Sequence, residues 1–236
     1  LRGNGCPWAG YTTSEAAGEG HLDCLIYAYE NGCQWDLETT VRAAGAGKFD
    51  CLKYAHENGC PWDPEATCMA VSHLDCLKYA HEHGCPWHEW TTKYAAGYNH
   101  LECLIYAYEN GCPWDPEATC MAAENGYLVC LKYAHENGCP WHPDTTKAAA
   151  VNDNLECLIY AYENGCSLHY DTVRMAYKYC NLKCLKYIYF NCQSVISPID
   201  KELILSYVNN WKELVDAALD DKFIPLDIKN IIYTLW

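Results

Sequence analysis

The densest local set of metal-capable side chains is His81, His83, Cys85 and His88, in a chain of 236 residues with 18 cysteines and 10 histidines. Imidazoles and thiolates are the groups that hold zinc and other soft metals. The pattern argues against that chemistry. No Cys-x-x-Cys pair occurs anywhere, and that pair is half of a common structural zinc site. His81 occupies a position filled elsewhere by His56 and His135, but also by Tyr29, Tyr108 and Tyr162. Tyrosine in the same position is not how a ligand behaves. Cys180 and Cys184 stand four apart on a helical stretch that also leads to Cys192, a spacing that suits packing. No metal and no other cofactor is expected.

Two further rows could do chemistry. Trp8, Trp35, Trp62, Trp87, Trp114 and Trp141 recur at matching positions. Aromatic rows can stack single-stranded bases, but only in a cationic groove. The net charge of −15 argues against nucleic acid, which needs a basic footprint. The tryptophans are expected to pack between neighbouring units with the indole N–H bonded locally. The second row is acidic: Glu30, Glu57, Glu82, Glu109, Glu136 and Glu163. A negative charge near a helix C-terminus is mildly unfavourable, so this row could serve to attract a basic partner. The local alternative pairs Glu57, Glu82 and Glu136 with Lys53, Lys78 and Lys132, four residues earlier. No nucleophile–base pair and no phosphate-cradling loop can be located. Neither enzyme activity nor a small-molecule substrate is expected.

These rows exist because the chain repeats one phrase. Residues 50–63 read Asp-Cys-Leu-Lys-Tyr-Ala-His-Glu-Asn-Gly-Cys-Pro-Trp-Asp, and close copies follow. The Cys-Leu pairs begin at Cys24, Cys51, Cys76, Cys103, Cys130, Cys157 and Cys184, with every step 27 residues except one of 25. A fixed period in this range means stacked supersecondary units. Each unit reads as two short helices. Asp63-Pro64-Glu65 and Asp115-Pro116-Glu117 start the first, with Asp as cap and Pro at the first helical position. His88 and His142 take the cap position and are expected to cap less well. Thr-Thr-x-x-Ala-Ala forms the helix body, and glycines at Gly18, Gly45 and Gly97 are expected to break it. The second helix carries an acidic first turn and an apolar stripe, and Asn-Gly ends it. The 25-residue unit is expected to have a shortened turn near Val71 and Ser72.

No stretch of 18 apolar residues occurs, so no membrane span is expected. Most cysteines share two repeat slots beside Leu, Tyr and Ala, where a free thiol packs as a small hydrophobe. Reduced thiols and a cytosolic location follow as expectations. Leu1 to Trp8 aligns with Ala28 to Trp35, so residues upstream of Leu1 are expected. The period stops after Cys192. Ser197 starts a helix with the apolar face Leu203, Ile204, Tyr207 and Val208, and two more helical stretches are expected near 211–219 and 226–235. Residues 1–193 are thus read as a repeat array and 194–236 as a helical cap over its last apolar face.

At Ala43-Ala44-x-x-Gly47 followed by Cys51-Leu52-x-Tyr54-Ala55-x-Glu57-Asn58-Gly59-Cys60, the unit resembles an ankyrin repeat. It is similar to short ankyrin-like repeats abundant in large DNA viruses of amoebae. It departs from ankyrin in being about six residues short and in lacking the Thr-Pro-Leu-His signature. The resemblance implies an all-α ankyrin-like solenoid of stacked helix-turn-helix units that binds a protein partner on its concave face without catalysis. It places the chain in the cytoplasm, of the host if the source is viral, or in a virion. Copies should agree where stacking demands it and differ where a partner is faced. On that basis the partner surface is expected to run through Arg42, Met69, Tyr94, Tyr98, Met121 and Asn125. In the last unit Val173-Arg174 is the expected counterpart of Val41-Arg42. Two other functions are consistent with the residues. Phe223 to Ile228 followed by Ile231-Ile232 resembles the opening of an F-box-like motif, which would imply a ubiquitin-ligase substrate adaptor. A ladder of thiols would also suit a structural component locked by oxidation.

Overall fold

The computed structural model describes residues 8–219, with side chains described as far as Asn210. Among these residues the regular structure is all helical. The first helices of successive units are α1 (Thr12–Glu19), α3 (Glu38–Gly45), α5 (Glu65–Met69), α7 (Thr91–Gly97), α9 (Glu117–Glu124), α11 (Thr145–Val151) and α13 (Thr172–Lys178). The second helices are α2 (Leu22–Glu30), α4 (Phe49–Glu57), α6 (Leu74–Glu82), α8 (Leu101–Glu109), α10 (Leu128–Glu136), α12 (Leu155–Glu163) and α14 (Leu182–Asn191). Each first helix packs on the first helices before and after it, and each second helix does the same. The result is an all-α solenoid of two layers, in which a unit touches only its neighbours.

The core runs the length of the stack between the layers. Leu25, Leu52, Leu77, Leu104, Leu131, Leu158 and Leu185 are fully buried. The paired alanines Ala43-Ala44, Ala95-Ala96, Ala122-Ala123 and Ala149-Ala150 are equally buried between first helices. The spacing of two helix axes depends on the side chains at the contact, so alanine and glycine draw the first helices together. Tyrosine and tryptophan rings fill the gap between the second helices and their exits.

Turns are fixed by left-handed residues. Gly32, Gly59, Gly84, Gly111, Gly138 and Gly165 end the second helices at φ between 84° and 89°, a conformation nearly free of cost only for glycine. The first helices end differently from expectation. Gly18, Gly45 and Gly97 remain helical, and the left-handed residue comes two positions later, at Gly20, Gly47, Asn99, Gly126, Asp153 and Cys180. The helical glycines serve close packing instead. A Cβ on Gly45 would lie 3.2 Å from Met69 Cβ, and one on Gly97 would lie 3.0 Å from Met121 Cβ.

Helix starts follow the sequence reading with one correction. Asp63 and Asp115 each accept the N–H of the residue two further on at 2.9 Å. His88, His142 and His169 make the same bond through Nδ1 at 3.1–3.2 Å. An imidazole nitrogen therefore does the work of a carboxylate here. The 25-residue unit also differs from expectation. Its first helix is itself cut to Glu65–Met69 and continues as a single 3-10 turn, Ala70–Ser72, so the missing residues shorten the helix as well as the turn.

Beyond α14 a single helix, α15 (Pro198–Leu219), takes the place of the separate helices expected from Ser197 and near 211–219. Ser197 caps it: its hydroxyl donates to Asp200 Oδ2 at 2.6 Å and accepts the Asp200 N–H at 3.1 Å, a reciprocal capping arrangement. α15 packs on α13 and α14, burying Ile204. The stretch near 226–235 and the F-box-like residues from Phe223 to Ile232 lie outside the described residues. No described helix is long and apolar enough to cross a membrane.

Candidate protein-binding face

Three hydrogen bonds recur along the array, two of them between units, and these decide which side chains remain for a partner. First, each ladder tryptophan donates its indole N–H forward to the exit carbonyl of the next unit. Trp35 reaches Asn58 O at 3.0 Å, Trp62 reaches His83 O at 3.0 Å, Trp87 reaches Asn110 O at 3.1 Å, Trp114 reaches Asn137 O at 3.0 Å and Trp141 reaches Asn164 O at 3.1 Å. The same rings stack on Tyr29, His56, His81, Tyr108 and His135 at 4.3–4.9 Å. His81 is therefore a stacking partner of Trp87. Among the described residues no group of three His, Cys, Asp or Glu side chains is placed to hold a metal ion.

Second, the exit asparagine closes its own helix. Asn58, Asn110, Asn137 and Asn164 donate Nδ2 to a tyrosine carbonyl four residues earlier at 2.8–2.9 Å. His83 replaces asparagine in this slot and reaches Tyr79 O with Nδ1 at 2.8 Å.

Third, a buried threonine clamps each unit to the next. The Thr92 hydroxyl donates to Pro113 O at 3.2 Å and accepts the Asp115 N–H at 3.0 Å. Thr146 does the same with Ser167 O and the His169 N–H. Thr67 and Thr119 accept the N–H groups of His88 and His142. Sequence reading treated these threonines as helix body. Their recurrence in every unit but the last, where Val173 stands, was the available signal.

The charged row on the second helices is tied down locally, with one of the three expected lysine–glutamate pairs formed. Lys53 lies 3.9 Å from Glu57. Lys78 and Lys132 instead sit over the Tyr106 and Tyr160 rings of the following unit, at 5.5 and 5.4 Å. Tyr160 donates its hydroxyl back to Glu136, and Tyr187 to Glu163, both at 3.4 Å. Burial, then the Glu163 carboxylate, pushes Tyr187 up to about 12.

Among the described residues the thiols are free, and most are buried. Desolvation pushes Cys60 up to about 11 and Cys85, Cys112 and Cys139 up to about 12. Cys24 and Cys180 are exposed.

What remains is the outer edge of the first helices, where Arg42, Met69, Tyr94 and Met121 lie, with Tyr98 and Asn125 one residue past the ends of α7 and α9. They do not form one surface of uniform character. Arg42 is paired within the array: Nε contacts Glu38 at 3.0 Å and Nη1 contacts Glu15 of the preceding unit. Met69, 47% exposed, sits with its Cβ against Gly45. The other four gather around Gly97. Tyr94 and Tyr98 stack at 5.7 Å. Met121 lies against Gly97, and Asn125 Nδ2 donates to Gly97 O at 3.2 Å. Trp90, which sequence reading missed, joins them edge-on to Tyr94 at 5.9 Å and is 41% exposed. Its signal was that it stands outside the repeating tryptophan slot. Lys93 reaches over both rings and pairs with Glu117, which raises the pKa of the lysine and lowers that of the glutamate. In the last unit Thr172 takes the slot of Thr145, so Arg174-Met175 is the matching pair, in place of the expected Val173-Arg174. The chain matches no protein-family model, and no curated protein sequence matches it.

Proposed function

We propose that the chain is a non-catalytic, ankyrin-like scaffold that binds a protein partner along the exposed edge of its first helices. One observation carries this reading. Two consecutive units leave large apolar side chains exposed, Met69 in one and Trp90 and Tyr98 (55% exposed) in the next, with the half-buried Tyr94 and, from the third unit, the half-buried Met121 beside them. Other copies carry Glu15, Arg42 or Ala148 at the position of Tyr94, so stacking does not require an aromatic ring there. A clustered, exposed apolar patch marks an interaction surface more often than scattered single residues do, and Trp and Tyr dominate binding hot spots. The units on either side are locked by the tryptophan and threonine bonds, so little ordering entropy is lost on binding. Acidic surroundings favour a partner with a basic rim.

Affinity capture from the natural cell with the full chain, followed by mass spectrometry, supplies the partner. Tyr94→Ala is then expected to weaken that complex by at least about tenfold, the size of a moderate hot spot, while Lys201→Ala on α15 leaves it unchanged. Equal affinity for wild type and Tyr94→Ala would remove this face as the binding surface.

A further inference from the structure

A second feature lies on the other layer, where the period breaks. The slot that opens each second helix holds Leu22, Leu74, Leu101, Leu128, Leu155 and Leu182, but Phe49 in the unit just before the two-residue deletion. The exit slot holds asparagine in neighbouring copies but His83 in the shortened unit. These exceptions converge on Tyr79. Its ring is edge-on to Phe49 at 5.4 Å and stacked on His83 at 4.0 Å. Tyr79 is only 8% exposed and is buried where the other tyrosines of its row are partly exposed, and its hydroxyl has no hydrogen-bond partner. The tyrosines two and three units further on from Tyr106, at 160 and 187, donate to a glutamate of the preceding unit. The glutamate preceding Tyr79 is Glu57, which is paired with Lys53 instead.

Between α4 and α6 this irregularity opens a slot of about 270 Å³ lined by Phe49, Asp75, Lys78, Tyr79 and Glu82. Phe49 is 37% exposed. Lys78 lines the slot too, with its ammonium 5.5 Å from the Tyr106 ring of the next unit, and the carboxylates of Asp75 and Glu82 outnumber it there. They are seven residues apart, roughly 10 Å along a helix axis. Aromatic rings beside carboxylates favour a guanidinium, which stacks on a ring face while its edge pairs with an oxygen.

We infer that this slot is a docking site for an arginine-bearing segment of a protein partner, with the guanidinium against Phe49 and Asp75. An extended chain covers roughly 10 Å in three residues, so two arginines three apart would reach both carboxylates. The site is separate from the first-helix edge and stands or falls independently of it.

The test is titration of the isotope-labelled full chain with acetyl-Arg-Gly-Gly-Arg-amide, followed by NMR, with acetyl-Gln-Gly-Gly-Gln-amide as control. Shifts are expected at Phe49, Asp75 and Tyr79 with the arginine peptide only. Phe49→Leu installs the residue that the other copies carry, so folding is retained and is checked by thermal melting. It is expected to weaken binding by about fivefold, the size of an exposed cation–π contact, and Asp75→Asn by a similar factor. Shifts spread over the whole acidic surface would overturn the assignment, as would unchanged affinity in folded Phe49→Leu. Tyr94→Ala is expected to bind the peptide normally, which separates this site from the first-helix face.

Discussion

At the scale of single residues, the threonine clamp is the interaction most easily mistaken for ordinary helix composition. Thr92 is fully buried, and it satisfies the Asp115 N–H where the next unit begins. Valine has the same shape and no acceptor. Thr92→Val therefore leaves a buried donor unpaired, which costs about 1–3 kcal/mol. The expected result is a lower urea midpoint with an unchanged slope, and an unchanged midpoint would show that water replaces the hydroxyl. The thiols make a second prediction at this scale. Burial raises Cys60 to about 11 and Cys85 and Cys139 to about 12, so the folded chain keeps these groups protonated at a pH where the unfolded chain loses its protons. The contribution to stability is complete below the unfolded value near 9 and declines as pH rises through the folded values. Alkaline melts should fall from about pH 9 upward. Iodoacetamide at pH 8 should label Cys24 and Cys180 well before the buried thiols, with peptide mapping as the readout.

At the scale of helices, the glycines decide how closely the first layer packs. Gly97→Ala would place a methyl 3.0 Å from both Cβ and Cε of Met121. Overpacking of this kind costs about 1–3 kcal/mol. Because Met121 is the obstruction, Met121→Ala in the same chain should recover part of the loss, giving a clear coupling between the two sites in chemical denaturation. Additive losses would mean that α7 and α9 simply move apart. These glycines also show where sequence reasoning stops. The helix pairs, the Asn-Gly exits and the buried leucine rows were legible because each rests on local periodicity or on one residue's backbone preference. Gly45 and Gly97 read as breakers because a glycine looks the same whether it ends a helix or admits a neighbour's side chain. The stretch from Ser197 likewise read as two helices, yet with no Pro or Gly between Val208 and Trp211 the backbone runs on to Leu219. Of the candidate site, Tyr94, Tyr98, Met121 and Asn125 could be picked out because copies of one unit supply their own comparison. The internal pairing of Arg42 and the presence of Trp90 could not, since both depend on which side chains meet across units.

At the scale of the whole molecule, the tryptophan and threonine bonds recur from joint to joint and shift by two residues only at the shortened unit, so the joints are alike. Removing residues 89–115 excises 27 residues and joins His88 to Pro116. The new junction, His-Pro, already exists in the chain as His142-Pro143. The Thr67 hydroxyl would still receive the His88 N–H. Stability in such arrays is a sum over units and their interfaces. The shortened chain is therefore expected to fold, with helical signal per residue unchanged and a modestly lower melting temperature. It should no longer capture the first-helix partner, because Trp90, Tyr94 and Tyr98 leave with the deleted segment. Loss of folding would mean that the copies are not equivalent despite their shared bonds.

The forward reach of each indole to the carbonyl of the following unit has a genetic corollary. A coding sequence made of such alike cassettes is prone to unequal crossover, and any exchange in phase yields a rod one notch longer or shorter that still closes its seams. Descendants of this gene should then differ in length by multiples of one cassette, while the out-of-step unit beside Phe49, which no neighbour can replace, is retained.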